Sequence, residues 1–301
     1  MPAANRGTPL LEMLREPVRD VNFRSLLFML GGWNVASNLA APFLTVYLIQ
    51  QLGYGLGTVT TLWVASQFAN AVALFIWGRL SDRLSNKAIL AVALPAYFAC
   101  TLGLVFAGAG TSSDVSLPLL YLLHLVMGAA SGGISLATGN IGLKLAPAGK
   151  GTAHLAVIGL VSAVAGGAAP IVGGAIAQVL SSSQLSVVVR WRSPSLSHEM
   201  SVLSFAHWEF LFALSAVLGI YVMRALSRVQ EGSEISERVV IQELALEALR
   251  TVNHLSSIGG VLGSVFSFSR ISQRLIEARS GRDRRSKSRD SPDRRLDGAG
   301  R

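Results

Sequence analysis

Six long runs of apolar residues alternate with shorter polar segments along the chain. The runs cover 25–49, 57–78, 88–109, 117–139, 152–180 and 203–226. A helix needs about 20 residues to cross the hydrocarbon layer of a bilayer, and each run reaches that length. Backbone polar groups in lipid have to be paired within their own segment, which favours helices, and we find none of the short alternating segments of a strand barrel. The pattern predicts an all-α integral membrane protein with six transmembrane helices.

The amount and placement of charge exclude a water-soluble protein. Charged residues make up 14% of the 301 residues, against about 25% in ordinary globular chains. Between residues 25 and 223 there are only seven Lys or Arg and four Asp or Glu. The net charge of +9 arises at the end of the chain, because 15 of the 26 basic residues follow Met223. We therefore expect no folded nucleic-acid-binding domain, and the single cysteine, Cys100, excludes an internal disulfide framework and a cysteine-rich metal site.

Basic residues fall in alternate loops between the spans. The leader before the first span holds four Arg, the loop after the second span holds three basic residues, and the loop after the fourth holds two. The loops after the first and third spans hold none, and the loop after the fifth holds two. Because Lys and Arg favour the cytoplasmic side, both termini should be cytoplasmic, in a plasma membrane and most simply a bacterial inner membrane. Two cytoplasmic termini require an even number of spans, which agrees with six.

Several polar side chains lie within the spans, where they are costly and mark either a pathway or a helix contact. We select six of them as substrate-cavity candidates: Asn34, Asn38, Trp63, Gln67, Asn70 and His124. Spans three and six are almost wholly apolar, so we expect them to face lipid while spans one, two and four face a polar interior. The alternative is that single amides join helices, and that His124 is a structural hydrogen-bond partner.

Small residues are concentrated in the fifth span and suggest close helix packing. The residues concerned are Gly166, Gly167, Pro170, Gly173 and Gly174, together with Gly128 in the fourth span. Glycine lets helix backbones approach closely, and proline breaks one backbone hydrogen bond and favours a kink. Packing alone explains the glycines, although a kinked and closely packed helix also suits a gate.

The loop after the second span carries a recognisable motif, in which Gly78, Asp82, Arg83 and Lys87 occur at fixed spacing. It resembles the signature loop of the major facilitator superfamily of transporters, with Ser in place of the second glycine and Asn in place of one basic residue. By that resemblance, Asp82 and Arg83 are implied to latch neighbouring helices in one access state. A carboxylate at this membrane face is expected to pair with an arginine and to lie near a helix N-terminus. The alternative is a basic stretch that only fixes topology.

Two weaker similarities to the same family follow in the fourth and fifth spans. His124 and Gly128 occupy the register of the family's Arg and Gly in the fourth span, and 169–174 looks like its antiporter motif. Together the resemblance covers 23–226 and implies one six-helix half of a bundle that usually has twelve spans. We favour the C-terminal half, because the signature loop is eroded and the leader looks like the family's linker, although the span-five similarity favours the first half. We expect either a truncated start or a split gene.

Two polar segments flank the spans. Residues 1–24 are expected to form a cytoplasmic leader or linker, and 227–278 a cytoplasmic amphipathic helix followed by an interfacial segment. Residues 279–301 form a basic tail that should be disordered. Attraction of this tail to anionic lipid and a solvated tail without a partner both fit its composition.

Transport of a small solute by alternating access is the function that these features favour. Half a bundle has no opposite cavity wall, so the chain should pair with a second half or with another copy of itself, within the lipid bilayer. No nucleophile–base set, paired carboxylates or metal-spaced His cluster is found, so we expect no enzyme, no catalytic residue, no metal and no cofactor. The alternative is a non-transporting six-helix membrane protein, either a remnant or a regulatory partner that binds through its helix faces.

Overall fold

The computed structural model describes residues 10–83, 85–108, 113–193, 196–231 and 241–247. The chain divides into two compact units, Met1–Ile241 and Gln242–Arg301. In the second unit the described residues, 242–247, are helical. The remaining residues of the predicted interfacial segment and basic tail lie outside the described part of the chain.

The first unit is mostly helical. Its helices are α1 (Leu10–Arg19), α2 (Val21–Val46), α3 (Leu56–Arg83), α4 (Asn86–Gly108), α5 (Ser113–Lys144), α6 (Gly151–Val179) and α7 (Glu209–Ser227). A single π-helical turn, Tyr47–Gln51, continues α2. Five of these helices, α3 to α7, are long and apolar enough to cross a membrane. The chain is therefore a mostly helical protein with the character of a multi-pass membrane protein.

The first predicted span, in α2, is not among these five helices. With 26 residues α2 is long enough, and the polar side chains of Asn34 and Asn38 lower the hydropathy of its central turns. Asp20 begins the helix by accepting a hydrogen bond from the backbone N–H of Phe23 at 2.6 Å. This is a standard N-cap, in which a side-chain oxygen pairs an amide that the helix leaves free.

The start of the sixth span was predicted wrongly. Residues 203–206 belong to a β-strand, and α7 begins only at Glu209. Strands β1 (Gln184–Ser193) and β2 (Leu196–Ala206) form an antiparallel hairpin, with Gln184 opposite Ala206. The sequence analysis predicted no strand here, because residues 203–206 are apolar enough to extend the predicted span and so concealed the end of β2.

The membrane-length helices pack in an open series that runs from α3 at one end to α6 at the other. Helix α3 packs mainly on α5, α5 also on α4, and α4 on α7; α7 then packs on α2, and α2 on α6. Exchanging α2 with α5, α3 with α6 and α4 with α7 leaves this order of packing unchanged. The six helices are thus two groups of three, α2–α4 and α5–α7, with equivalent contacts. The shared core includes Leu39, Tyr47, Leu62, Leu104 and Phe212.

The largest exposed apolar surfaces lie on α3 and α6, whereas α4 and α7, which were predicted to face lipid, are more buried. Helix α7 still exposes Val217 and Ile220. Half of the apolar window of α4 is buried inside the bundle, against 22% for α3 and 11% for α6. Phe75 on α3 and Ile171 on α6 are about three-quarters exposed. The prediction failed because α4 and α7 pack on each other as well as on α5 and α2. Apolar content alone does not distinguish a lipid-facing helix from a buried one.

Two glycines allow the closest helix approaches. A Cβ on Gly128 of α5 would lie 2.0 Å from the backbone oxygen of Ser66 on α3, and one on Gly173 of α6 would lie 2.4 Å from that of Leu39 on α2. The pairs α5–α3 and α6–α2 are equivalent in the repeat, so each group is joined to the other at a glycine. A Cβ on Gly167 would meet nothing within 4 Å, and those on Gly166 and Gly174 would make ordinary contacts.

Candidate functional site

A cavity lies inside the bundle, between α2, α3, α4, α5 and α7. It encloses about 670 Å³ of atom-free space with its open mouth included. Its polar and aromatic lining consists of Ser37, Trp63, Ser66, Gln67, Tyr97, Thr101, His124, Ser131, Phe212 and Ser215. None of the residues that line it is Asp, Glu, Lys or Arg. An uncharged lining with aromatic rings suits an uncharged ligand, because buried charge is costly unless it is paired.

Three of the six predicted cavity residues line this cavity. Trp63 and Gln67 lie one turn apart on α3, where Trp63 is 39% exposed, and His124 lies on α5 at 2% exposure. The rings of Trp63 and His124 meet edge to face, with centroids 6.1 Å apart. These side chains run from the mouth of the cavity to its wall.

The three predicted asparagines lie elsewhere, at helix contacts. Asn34 donates to Ser162 on α6 at 3.2 Å as well as to its own helix at Leu30 O, at 2.9 Å. Asn38 donates to the backbone oxygen of Asn34 at 2.9 Å and faces Gly166, where a Cβ would lie 3.4 Å from its amide nitrogen. Asn70 is next to Gly132 on α5. The amide stripe of α2 therefore joins α2 to α6 and does not line this cavity.

His124 has one paired and one unpaired ring nitrogen. Its Nδ1 lies 2.8 Å from the backbone oxygen of Leu120. Because a carbonyl oxygen only accepts, Nδ1 must carry the hydrogen, which leaves the lone pair of the neutral ring on Nε2. Nε2 is buried and has no hydrogen-bond partner in the described part of the chain. A buried and unsatisfied acceptor is uncommon in native structures.

Three other hydroxyls of the cavity wall are already paired with backbone oxygens. Ser37 donates to Trp33 O at 2.7 Å, and Thr101 donates to Tyr97 O at 3.0 Å, both within their own helices. Ser215 donates to Ala36 O across the α2–α7 contact at 2.5 Å. Sequence analysis selected none of Tyr97, Thr101 and Ser215 as cavity residues, because it treated the third and sixth spans as almost wholly apolar. The signal was present, because they are the isolated polar positions of those spans.

A second polar cluster lies where α3 ends and α4 begins, which we call the basic end of the bundle. Its centre is Glu231, which follows α7 and has a side chain that is only 3% exposed. Glu231 accepts hydrogen bonds from the side chain of Asn86 and the backbone N–H of Lys87, both at 2.6 Å, and from Lys144 Nζ at 3.0 Å. One carboxylate thus joins the N-terminus of α4 to the last turn of α5.

The cluster continues from Glu231 into α3 through two further hydrogen bonds. Ser81 donates to the side-chain oxygen of Asn86, and Asn140 donates to Ser81, both at 2.8 Å. Burial alone raises the pKa of Glu231, but the hydrogen bonds from Lys87, Asn86 and Lys144 outweigh it and hold the pKa below its ordinary value of 4.5. The carboxylate is therefore ionised near neutral pH. Four elements, α3, α4, α5 and the segment after α7, meet at this group.

Asp82, the predicted latch residue, lies outside this cluster. It is in the last turn of α3 and exposed, and so is Arg83. Gly78 is in the same helix with open space around it, and Lys87 contributes its backbone N–H to Glu231. The position expected for the Asp82 carboxylate, at the N-terminus of α4, is occupied by Glu231. Sequence analysis missed Glu231 because it assigned residues 227–278 to a cytoplasmic amphipathic helix and an interfacial segment.

At the opposite end of the bundle, α7 begins with a buried carboxylate. Glu209 is 2% exposed and accepts a hydrogen bond from Gln51, at the end of the π-helical turn. Tyr47 in that turn donates to Leu104 O on α4 at 2.9 Å. The described residues contain no group of three His, Cys, Asp or Glu that could hold a metal ion.

Comparison with known proteins identifies no family for this chain. No protein-family model matches the chain, and no curated protein matches it at significance.

Proposed function

We propose that this chain is one six-helix half of a facilitator-type transporter that moves a small solute by alternating access. The observation that carries the proposal is the packing of α2–α4 and α5–α7 as two equivalent groups of three helices. Three spans are an odd number, so the second group enters the membrane with the opposite topology to the first. Inverted repeats of this kind are the architecture of many secondary transporters. The resemblance of 78–87 to the superfamily's signature loop points the same way.

A second half, either another chain or another copy of this one, completes the proposed transporter. The apolar faces of α3 and α6 support this, because Phe68, Phe75, Ile171 and Val179 are each more than two-thirds exposed. Either lipid or a second protein can cover an exposed apolar face. The faces of α3 and α6 are therefore needed for pairing with a second half, but they do not identify that partner. In this proposal α2 also crosses the membrane, which makes six spans in all. Both termini are then cytoplasmic, because the basic end lies on the cytoplasmic side.

The latch of the proposed transporter is centred on Glu231. The resemblance implied this role for Asp82 and Arg83, but it is Glu231 that bonds to Asn86, Lys87 and Lys144 and so joins α4 to α5. A buried carboxylate with three charge-assisted or backbone hydrogen bonds makes a discrete contact that is either formed or broken. Such a contact suits a two-state gate better than an exposed aspartate does. Asp82 and Arg83 remain candidates for contacts to the second half.

The test measures access to Gln67, at the cavity mouth, from each side of the membrane. The full chain with Cys100→Ala and Gln67→Cys is expressed in cells and labelled with an impermeant maleimide in right-side-out and inverted vesicles. We expect labelling from both sides, and Glu231→Gln should raise the cytoplasmic labelling rate because it weakens the latch. Gly55→Cys and Lys87→Cys serve as controls that label from one side each. Labelling of Gln67→Cys from one side only, unchanged by Glu231→Gln, would instead support the non-transporting membrane protein.

A further inference from the structure

The unpaired nitrogen of His124 specifies what the cavity accepts. His124 lines the cavity together with aromatic and small side chains, and its Nε2 is the buried acceptor without a partner among the described residues of that lining. The other wall hydroxyls for which the structure gives a hydrogen bond, those of Ser37, Thr101 and Ser215, already donate to backbone oxygens. An unsatisfied buried acceptor costs free energy, and a donor that fills the position recovers it.

The character of the remaining wall limits the rest of the ligand. The rings of Trp63 and His124 pack edge to face. Tyr97 on α4 and Phe212 on α7 add further aromatic surface. No carboxylate lines the cavity to pair with a cation, and no Lys or Arg lines it to pair with an anion. A charged ligand would lose its hydration without compensation in this space. An uncharged molecule with an apolar body loses little and gains from leaving water.

We infer that the cavity binds a small, uncharged, mainly apolar molecule that donates one hydrogen bond, through a hydroxyl group, to Nε2 of His124. As the identity of the transported solute, this inference rests on the proposed function. As a statement about binding it needs only the cavity of this one chain. Bound water is the competing occupant, since a water molecule also donates to an imidazole nitrogen but is held only where two to four polar partners surround it.

The test uses three ring compounds of similar size with the full chain in lipid nanodiscs. Phenol carries a hydroxyl donor, toluene carries none, and benzoate carries a charge. With the five histidines labelled with ¹⁵N, we expect phenol to shift the His124 Nε2 resonance in a saturable manner. Toluene should bind about five- to tenfold more weakly, the value of one hydrogen bond, and benzoate should give no saturable shift.

His124→Phe keeps a ring in the wall and removes the acceptor. We expect it to lower phenol affinity to that of toluene, while unchanged toluene binding shows that the cavity is intact. His154→Phe is the matched control, because His154 is equally buried but pairs with Lys150 O and packs on Phe23 outside the cavity. The inference would be overturned by equal affinity for all three compounds, or by a phenol affinity that His124→Phe does not change. It would also be overturned if exchange of water, and none of the three compounds, altered the His124 resonance. One-sided labelling of Gln67→Cys that Glu231→Gln does not change, together with intact phenol binding, would overturn the proposed function alone.

Discussion

At the scale of single residues, the buried charge of Glu231 and the close contact of Gly128 make the sharpest predictions. Both residues act through neighbours on other helices, and in both cases the sequence gives no sign of those neighbours. Glu231 looks like one acid beside a basic tail, and Gly128 looks like one small residue among many. Glu231 takes its role from the distance of 2.6 Å to Asn86, and Gly128 from the distance of 2.0 Å between an added Cβ and Ser66 O.

Glu231→Gln should lower the stability of the bundle at neutral pH by about 2 kcal/mol, because hydrogen bonds to a charged group are the stronger ones. The folded-state pKa of Glu231 is depressed, so its contribution is fully present above the ordinary value of 4.5 and is lost as the pH falls through the folded value. Thermal unfolding of both proteins in detergent, from pH 7 downwards, measures this difference. It should shrink as the pH falls below 4.5.

Glu16→Gln is the matched control for that experiment. Glu16 pairs with Lys150, and each side chain is about half exposed. Exposed ion pairs contribute little to stability, so this variant should unfold like the parent protein. A loss that is the same for both variants, or independent of pH, would contradict the role given to Glu231.

Gly128→Ala should destabilise the protein by about 1–3 kcal/mol, the usual cost of an added methyl group in a packed interface. The backbone of Ser66 lies where the Cβ would be, and a backbone atom cannot rotate away. Gly167→Ala is the comparison, because no atom lies within 4 Å of its Cβ position. That variant should be neutral or slightly more stable, since Ala favours helix. Equal unfolding temperatures for the two variants would show that the α3–α5 contact is looser than described.

At the scale of elements, the contact between α2 and α6 depends on amides that looked like a cavity lining. Asn34 and Ser162 bond across it at 3.2 Å. The same residue types at the same spacing serve a solute pathway or a helix contact, and a single helix does not reveal which. The hairpin shows the converse case, because residues 203–206 are apolar enough for a span and yet form part of a strand.

A double-mutant cycle with Asn34→Ala and Ser162→Ala should give a coupling energy of about 0.6 kcal/mol, the average for hydrogen bonds between membrane helices. The free energies of unfolding of the two single variants and the double variant, measured in bicelles, provide the cycle. Asn70→Ala with Ser162→Ala serves as an uncoupled pair, since Asn70 lies beside α5. Additive losses for Asn34 and Ser162 would show that Asn34 does not join the helices.

At the scale of the whole molecule, the repeat of three helices and the alternating basic loops make one joint prediction about topology. If α2 spans the membrane, reporter fusions at Gly55 and Asp114 report an external position, and those at Asn86 and Lys150 a cytoplasmic one. Paired phosphatase and fluorescent-protein fusions at the four positions measure this. If α2 lies on the surface instead, Gly55 is cytoplasmic, and the inverted repeat that carries the proposed function is lost.

The sequence by itself determined the medium and the class of structure. Long apolar runs with few charges indicate that lipid surrounds these segments. In lipid the backbone groups have to be paired within their own segment, which indicates helices. Trp63, Gln67 and His124 were also found in this way, since isolated polar residues in apolar helices are conspicuous.

Only the tertiary structure decided which faces meet. It buried α4, left α3 and α6 exposed, moved the asparagines of α2 to a helix contact and placed Glu231 at the N-terminus of α4. Each of these outcomes depends on contacts between residues far apart in the chain, such as Asn86 and Glu231 at a separation of 145 residues. Local pattern carries no information about such pairs, because several arrangements of apolar helices bury similar surface, and specific contacts select one of them.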